Sequence, residues 1–145
     1  MIVKIKRLNK RGLLPLPSYA TPGSAGCDLY ASEKTIVPAG GTAIVPTGIF
    51  LEIPEGYEGQ VRPRSGLAAK LGVTVLNSPG TIDSDYRGEV KVIMFNTSKF
   101  HCELEVGDRI AQLVFAPVAQ AEFQVVDELS ETDRGSGGFG STGRK

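Results

Sequence analysis

The chain has 145 residues, 41% apolar and 22% charged, as expected for a soluble protein with one hydrophobic core. Its 16 basic and 16 acidic residues cancel, which argues against a surface that grips nucleic acid, although a local group of arginines can hold a small anion. Its two cysteines lack metal or disulfide spacing and favour a reducing compartment, and no segment is apolar enough to cross a membrane. We therefore expect a cytoplasmic protein, with nuclear or organellar forms left open.

Short β-branched segments separated by Gly and Pro predict an all-β protein. Prolines at positions 38, 46, 54 and 63 fall at the ends of these segments, where a missing N–H costs least. One short helix is predicted over residues 66–71. The predicted strands, in chain order, are residues 2–5, 42–45, 48–53, 59–61, 73–76, 89–95, 110–115 and 122–126.

The last twelve residues differ from the rest of the chain, with five Gly, two Ser and one aromatic residue. Such a composition cannot bury enough surface to stay ordered alone. Gly135, Gly137 and Gly140 match a dinucleotide-binding spacing, but no strand leads directly into them and no helix can follow. We predict a flexible Gly-rich arm whose backbone can approach phosphates and whose Phe139 can stack on a base; an inert tail is the alternative.

Carboxylates are the best candidates for acid–base chemistry in this chain. The one histidine, His101, lies in a polar stretch between two predicted strands and is better explained as an exposed turn residue than as a catalytic imidazole. Without a second His or a suitable Cys, histidine-based triads and tetrahedral zinc sites are nearly excluded. Asp83 is the strongest candidate, because it lies among turn formers, acids, a Tyr and an Arg between two apolar strands; a polar hairpin loop is the alternative.

Three further segments each permit a structural or a functional interpretation. Asp28 lies in a turn of small residues and suits a backbone cap as well as a ligand. Residues 62–68 place two arginines and Ser65 before the predicted helix, which favours either a helix cap or an anion site. Residues 107–113 enter a strand with alternating polar positions, which an ordinary turn explains equally well.

Taken together, five segments resemble, in order and spacing, the five motifs of the trimeric dUTP diphosphatase (dUTPase) family. They are AGCDLYA at 25–31, PRSGLA at 63–68, GTIDSDYRG at 80–88, GDRIAQL at 107–113 and RGSGGFGSTG at 134–143. The resemblance spans nearly the whole chain and shows no departure at a functional position. It implies a small jelly-roll-type β-barrel over residues 1–133 that assembles as a homotrimer with shared active sites. Residues 134–145 would form an arm that closes over a neighbouring site.

The resemblance also implies a reaction, the hydrolysis of dUTP to dUMP and pyrophosphate with Mg²⁺. This reaction limits uracil incorporation into DNA and supplies dUMP for thymidylate synthesis. Asp83 resembles the family's general base, which activates a water for attack on the α-phosphorus. Asp28 matches the residue that holds Mg²⁺ through a bound water, whereas Asp108 and Arg109 more closely match structural supports. The expected partners are therefore dUTP and further copies of the chain, with no nucleic acid and no membrane.

The family's substrate contacts carry over by position. The resemblance places uracil against the backbone of a hairpin at Gly80 and Ile82, with Asn77 nearby. Tyr86 would lie against the deoxyribose and leave no room for a 2′-OH. Phe139 would stack on the uracil when the arm closes. The remaining residues that match substrate contacts, most of them to the phosphates, are Arg64, Ser65, Gly66, Gln112, Arg134 and Gly140.

Two other functions remain as alternatives. A dCTP deaminase shares this fold and several of these motifs, but it attacks a carbon of the base. A binding or regulatory module would keep the fold without catalysis. The hairpin that carries Asp83 and Tyr86, together with the full arm motif, favours the diphosphatase over the deaminase. The presence of every catalytic residue type argues against the module.

Overall fold

The computed structural model describes residues 1–8 and 14–138, which form ten strands and one short helix. The prediction of a mostly β protein with one short helix is therefore confirmed for this part of the chain. No helix in these ranges has the length and apolar character needed to cross a membrane. The elements are β1 (Lys4–Arg7), β2 (Cys27–Tyr30), β3 (Thr35–Val37), β4 (Thr42–Glu52), β5 (Tyr57–Arg62), α1 (Ser65–Leu71), β6 (Val73–Val75), β7 (Gly80–Ile82), β8 (Glu89–Asn96), β9 (Cys102–Leu104) and β10 (Arg109–Pro117).

The strands form two four-stranded sheets and one two-stranded sheet, in the orders β1-β4-β8-β6, β2-β10-β5-β7 and β3-β9. The strand pairings in these three sheets are antiparallel. Both large sheets contribute to one core, the first through Val45, Val92 and Met94 and the second through Leu29 and Leu113. The pairings of the described strands do not close the sheets into a continuous barrel.

The alternation of side chains along β4 and β8 explains how the first sheet is held in register. Val45 pairs with Val92, and buried residues follow at every second position of both strands. Because successive side chains point to opposite faces, a slip of one residue would turn this apolar face to solvent. Thr47 is a buried polar exception, and its hydroxyl donates a hydrogen bond to the carbonyl of Val90. The register therefore follows from the alternating sequence.

Three strand predictions need correction. The segments 42–45 and 48–53 belong to one strand, β4, and the prediction that Pro46 ends a strand is wrong. Pro46 lies opposite Lys91, beside a register shift between Pro46 and Phe50, where a missing N–H is tolerated. The first strand occupies Lys4–Arg7 rather than residues 2–5, because these four residues are the ones that pair with Ile49–Glu52 of β4.

The predicted strand at 122–126 is wrong for this structure. These residues belong to no strand, and Phe123 and Val125 are 94% and 97% exposed. An apolar extended segment becomes a strand only where a neighbour accepts and donates its backbone hydrogen bonds. Four short strands, β2, β3, β7 and β9, were not predicted, because three or four residues carry too little alternation to be distinguished from loops.

Candidate active site

One cleft lies where β2, the start of α1 and β10 meet, and is called here the Asp28 cleft. Strand β10 lies between β2 and β5, with Gln112 opposite both Asp28 and Arg62. This arrangement brings three of the five sequence motifs to one wall. The lining residues that the sequence singled out are Asp28, Arg64, Ser65, Gly66 and Gln112.

The Asp28 carboxylate is held by two arginines. Its Oδ1 lies 3.0 Å from Arg64 Nε and its Oδ2 lies 3.4 Å from Arg109 Nη1, and only 17% of the Asp28 side chain is exposed. Arg64 Nη1 also donates to the backbone carbonyl of Arg109 at 3.2 Å. Two guanidinium groups against one carboxylate leave a surplus positive charge, which suits an anionic ligand. The Asp28 side chain thus contacts arginines, so the alternative of a simple turn cap is not supported.

Gln112 and Gly26 are packed closely against each other. Gln112 Nε2 donates to the carbonyl of Pro63 at 2.9 Å, which orients the amide in the cleft. A Cβ on Gly26 would stand 2.9 Å from Gln112 Oε1, so a side chain at position 26 would displace the Gln112 amide from its place in the cleft. Ser65 is exposed and does not cap α1, because Arg64 occupies the N-cap position without a side-chain cap bond. The alternative of a Ser65 helix cap is therefore wrong, and Ser65 lines the cleft instead.

A second cleft lies beside the loop between β7 and β8 and is called here the Asp83 cleft. The hairpin expected around Asp83 is not formed, because β7 and β8 pair in different sheets and residues 83–88 form a loop between them. Asp83 lines the cleft together with Thr81 of β7, Arg87 of the loop, Glu55 of the β4–β5 turn and Glu58 of β5. The exposed carboxylate of Asp83 follows β7 directly. A carboxylate at an open, polar cleft is available to take a proton from water.

The residues predicted to recognise the base lie on or beside β7, the strand that leads to Asp83. Gly80 and Ile82 are the buried ends of β7, which pairs with β5 through Val61 and Gly59. A Cβ on Gly80 would stand 3.1 Å from the amide nitrogen of Asn77 and meet its backbone too, so Asn77 packs closely on this strand. The structure therefore groups three predicted base contacts at one short strand.

Tyr86 lies in the β7–β8 loop, three residues after Asp83. Its backbone N–H donates to the carbonyl of Asp83 at 3.2 Å, and its hydroxyl donates to the carbonyl of Glu89 at 3.2 Å. The side chain remains partly exposed. Asp83 and Tyr86 are thus the first and last residues of one hydrogen-bonded turn.

The two clefts share no lining residue within residues 1–8 and 14–138. Asp83 therefore stands apart from the predicted phosphate contacts of the same chain. A third groove lies between β10 and the segment that precedes β7. It is lined by Pro63, Ser78, Pro79 and Gln112, and Gln112 also lines the Asp28 cleft. Sequence spacing alone does not reveal this separation, because both groups come from neighbouring motifs.

The described part of the arm lines neither cleft. Arg134 is exposed, and its Nε donates to the carbonyl of Gly137 at 2.7 Å, which closes a local turn. Gly137 in turn donates its N–H to the carbonyl of Arg134 at 3.0 Å. Phe139 and Gly140, the other predicted arm contacts, lie outside the described residues. The structure thus places one of the three arm residues and keeps it away from the clefts of its own chain.

Other chemistry is poorly supported in the described ranges. His101 is exposed and lies 3.4 Å from Glu103, as expected for a turn residue. Burial raises the pKa of the thiols of Cys27 and Cys102, so both stay protonated at neutral pH and are poor nucleophiles. No group of three or more His, Cys, Asp and Glu side chains in this part of the chain is placed to hold a metal.

Arg109 contributes more to the Asp28 cleft than the sequence predicted. It lines the cleft and contacts the Asp28 carboxylate directly. The signal available in the sequence was its position at the first residue of β10, Arg109–Pro117, but Arg109 and Gln112 are three residues apart and would point to opposite faces of a regular strand. A register shift between Arg109 and Ala111 instead brings Arg109 beside Tyr30 and toward Asp28.

Comparisons with known proteins agree with the motifs. The dUTPase family model matches residues 14–143. A deoxyuridine 5'-triphosphate nucleotidohydrolase of Anaplasma marginale is 56% identical over 143 residues, covering 97% of each chain. One of Nautilia profundicola is 55% identical over 144 residues, covering 99% of this chain and 100% of the other. The structure of Staphylococcus bacteriophage 80alpha dUTPase with dUPNHPP covers 98% of both chains at 27% identity, with a TM-score of 0.90. The chain therefore belongs to the dUTPase family.

Proposed function

We propose that the chain hydrolyses dUTP to dUMP and pyrophosphate by attack of an Asp83-activated water on the α-phosphorus. The family match and the names of relatives that are 55% and 56% identical confirm the predicted enzyme class, a dUTP diphosphatase. The observation that carries the mechanism is the position of the predicted site residues from the first four motifs. Each lies in the Asp28 cleft, on β7 or on the β7–β8 loop that carries Asp83.

The Asp28 cleft is the proposed triphosphate site. Arg64 and Arg109 outnumber the single carboxylate between them, so a bound polyphosphate meets net positive charge. The hydroxyl of Ser65, the backbone at Gly66 and the amide of Gln112 add donors along the same wall. These groups bind and orient the phosphates and stabilise charge on them during reaction.

Asp28 is the proposed protein contact for Mg²⁺, through a bound water. One carboxylate in a cleft that also receives a triphosphate fits this ion, because Mg²⁺ keeps several waters and is commonly held by one or two carboxylates plus substrate phosphates. When bound, the ion would neutralise charge on the phosphates. The contacts of Asp28 with Arg64 and Arg109 hold the carboxylate in place for that role.

Asp83 is the proposed general base. Its carboxylate takes a proton from a water as the water oxygen bonds to the α-phosphorus, and the bond from that phosphorus to the bridging oxygen of the β-phosphate breaks. Pyrophosphate leaves with the bonding electrons, and dUMP retains the new oxygen. Base catalysis of this kind contributes about 10²- to 10⁴-fold to rate, and the remainder comes from binding and charge stabilisation.

Base and sugar selection are assigned to β7 and the β7–β8 loop. Backbone groups at Gly80 and Ile82 belong to a buried strand and cannot rotate to match a different base edge. A cytosine would leave buried groups unpaired, and such a mismatch can reject an analogue by about 10⁴-fold. Asn77 packs beside this strand, and Tyr86 would cover the deoxyribose face.

A homotrimer with composite sites is the proposed assembly. The separation of the Asp28 and Asp83 clefts on one chain supports it, because joining them requires surfaces from different copies. The apolar side chains of Phe123, Val125 and Leu129 are 94%, 97% and 87% exposed, a cost that burial against another copy would remove. The jelly-roll-type barrel of the family belongs to this proposal, since the two large sheets share one core.

A cytoplasmic location is also part of the proposal. Cys27 and Cys102 are unpaired thiols, as expected in a reducing compartment. The activity would there limit uracil in DNA and supply dUMP for thymidylate synthesis.

A product assay tests the function directly. The purified protein is incubated with dUTP or dCTP in the presence of Mg²⁺, and pyrophosphate, dUMP and ammonia are measured. We expect pyrophosphate and dUMP from dUTP alone. Ammonia from dCTP would show a deaminase, and no product from either nucleotide would show a binding module. Either result contradicts the proposed function.

Assembly is tested by light scattering in dilute buffer. We expect a particle of three chains, each of 15.4 kDa. The reason is that neither cleft of one chain holds all of the proposed site residues and that Phe123, Val125 and Leu129 are exposed. A stable monomer that hydrolyses dUTP at full rate would contradict the composite site.

Mixed trimers extend this test. A protein with Asp83→Asn is mixed with one that lacks residues 134–145, under conditions in which the subunits exchange. Each parent is expected to be nearly inactive. Reassorted trimers contain sites that join an intact Asp83 from one copy with an intact arm from another, so activity should return. A mixture no more active than its parents, despite proven exchange, would place both groups on the same chain.

A further inference from the structure

We infer that Gly88 is a specificity-determining position. Because it has no side chain, the Tyr86 ring can occupy the position at which it excludes a ribose 2′-OH. The inference rests on the proposed function, in which Tyr86 lies against the deoxyribose. In this inference Gly88 itself does not contact the substrate. It is the last residue of the β7–β8 loop, directly before β8 begins at Glu89.

The space at Gly88 is filled by the tyrosine ring. A Cβ at this position would stand 2.2 Å from Tyr86 Oη, 2.4 Å from Cζ and 2.8 Å from Cε2. These separations are far inside van der Waals contact, so the ring and a side chain at position 88 cannot both keep their places. The backbone of Gly88 does not adopt a positive φ, so space rather than conformation explains the glycine.

A hydrogen bond holds the ring over Gly88. The Tyr86 hydroxyl donates to the carbonyl of Glu89 at 3.2 Å. Glu89 is itself anchored, since its Oε1 accepts the backbone N–H of Gly48 at 2.9 Å and it pairs with Phe50 on β4. The Tyr86 ring is therefore held in place by the first residue of β8, an inner strand of the first sheet.

The ring position is also linked to the proposed base. The N–H of Tyr86 donates to the carbonyl of Asp83 at 3.2 Å, so the two residues close one turn. Because the Tyr86 side chain is 47% exposed, the ring can move without disturbing the core when a methyl group is added at Gly88. We therefore expect such a change to alter sugar selection while the fold is kept.

The experiment compares kcat and KM for dUTP and UTP in the full-length protein and its Gly88→Ala variant. The ratio of kcat/KM for dUTP to that for UTP should fall by at least about tenfold, since a displaced ring opens room for the 2′-OH. Gly23→Ala is the matched control, because a Cβ there meets nothing within 4 Å. The control should keep the wild-type ratio, and both variants should keep the wild-type unfolding temperature and assembly size.

Two further variants show whether Gly88 acts through the ring. Tyr86→Phe removes the hydroxyl tether and should also lower the ratio, and this variant decides the matter if Gly88→Ala does not fold. In a Tyr86→Ala background, Gly88→Ala should cause no further loss, because contacting residues are not additive. An unchanged ratio in Gly88→Ala overturns the inference, and so does an unchanged ratio in Tyr86→Phe if Gly88→Ala does not fold. The inference is also overturned if Gly88→Ala lowers the ratio as much in the Tyr86→Ala background as in the unmodified protein. Absence of dUTP hydrolysis by the unmodified protein instead overturns the proposed function.

Discussion

Asp83→Asn is expected to lower kcat for dUTP by at least about 100-fold while leaving the affinity for a non-hydrolysable dUTP analogue nearly unchanged. The substitution keeps the shape of the side chain but removes its ability to take a proton from water. The turn should persist, because Asp83 accepts the N–H of Tyr86 through its backbone carbonyl. The measurements are steady-state kinetics and a calorimetric titration with the analogue.

Glu55→Gln is the matched control for this substitution. Glu55 lines the same cleft as Asp83, so the control removes the same charge from the same surface without touching the proposed base. We expect kcat to stay within about twofold of the unmodified value, as for most exposed substitutions. A normal kcat in Asp83→Asn would assign the base to another group. Equal losses in both variants would show that the total charge of the cleft, rather than a base at Asp83, controls the rate.

Removal of residues 134–145 is expected to leave a folded trimer with a sharply reduced kcat. The fold should survive, because Arg134 makes its recorded hydrogen bond within the arm, to Gly137, and residues 131–136 are exposed. Loss of a Phe139 stack worth about 1–3 kcal/mol corresponds to roughly 5- to 150-fold in rate when the stack forms only as the site closes. Loss of the Arg134 contact to the γ-phosphate and readmission of water to the site add to this.

A shorter truncation provides the control for the arm. Removing Arg144 and Lys145 takes away two positive charges but keeps the fifth motif, residues 134–143. We expect this protein to retain nearly full activity. If both truncated proteins retained it, the arm would be an inert tail, the alternative that its composition also permits.

Closure of the arm can be followed separately from catalysis. The chain contains no tryptophan, so Phe139→Trp introduces a single fluorophore into the arm. Its emission should change when the non-hydrolysable analogue binds, because the indole moves from water onto the uracil. An unchanged emission at saturating analogue, with affinity proven by titration, would contradict stacking at this position.

The family and the class of fold followed from the sequence because they depend on local patterns. Alternating apolar residues in segments such as 89–95 can face a core only as a strand, and the structure confirms β8 over Glu89–Asn96. The five ordered motifs predicted the dUTPase family, which the family match over residues 14–143 confirms. These features require only the order of residues along the chain.

Strand limits were less predictable, because they depend on the neighbouring strand. Pro46 marks a strand end by its own chemistry, yet β4 continues through it since β8 pairs on both sides of the irregularity. The segment 122–126 has the composition of a strand but no partner to pair with in the described chain. Hydrogen bonds across a sheet join residues far apart in the sequence, so the β-propensity of one residue does not predict them.

The sequence by itself determined which residues carry the proposed chemistry, because a carboxylate, a guanidinium or a missing Cβ is a property of one residue. Only the tertiary structure decided which of them meet. Folding β10 between β2 and β5 brings Asp28, Arg64 and Gln112 to one cleft and leaves Asp83 at another. The conformation of the loop before β8 also decides that the Tyr86 ring lies over Gly88. Electrostatic and steric terms act through separations of a few ångströms, and those separations exist only after the sheets have packed.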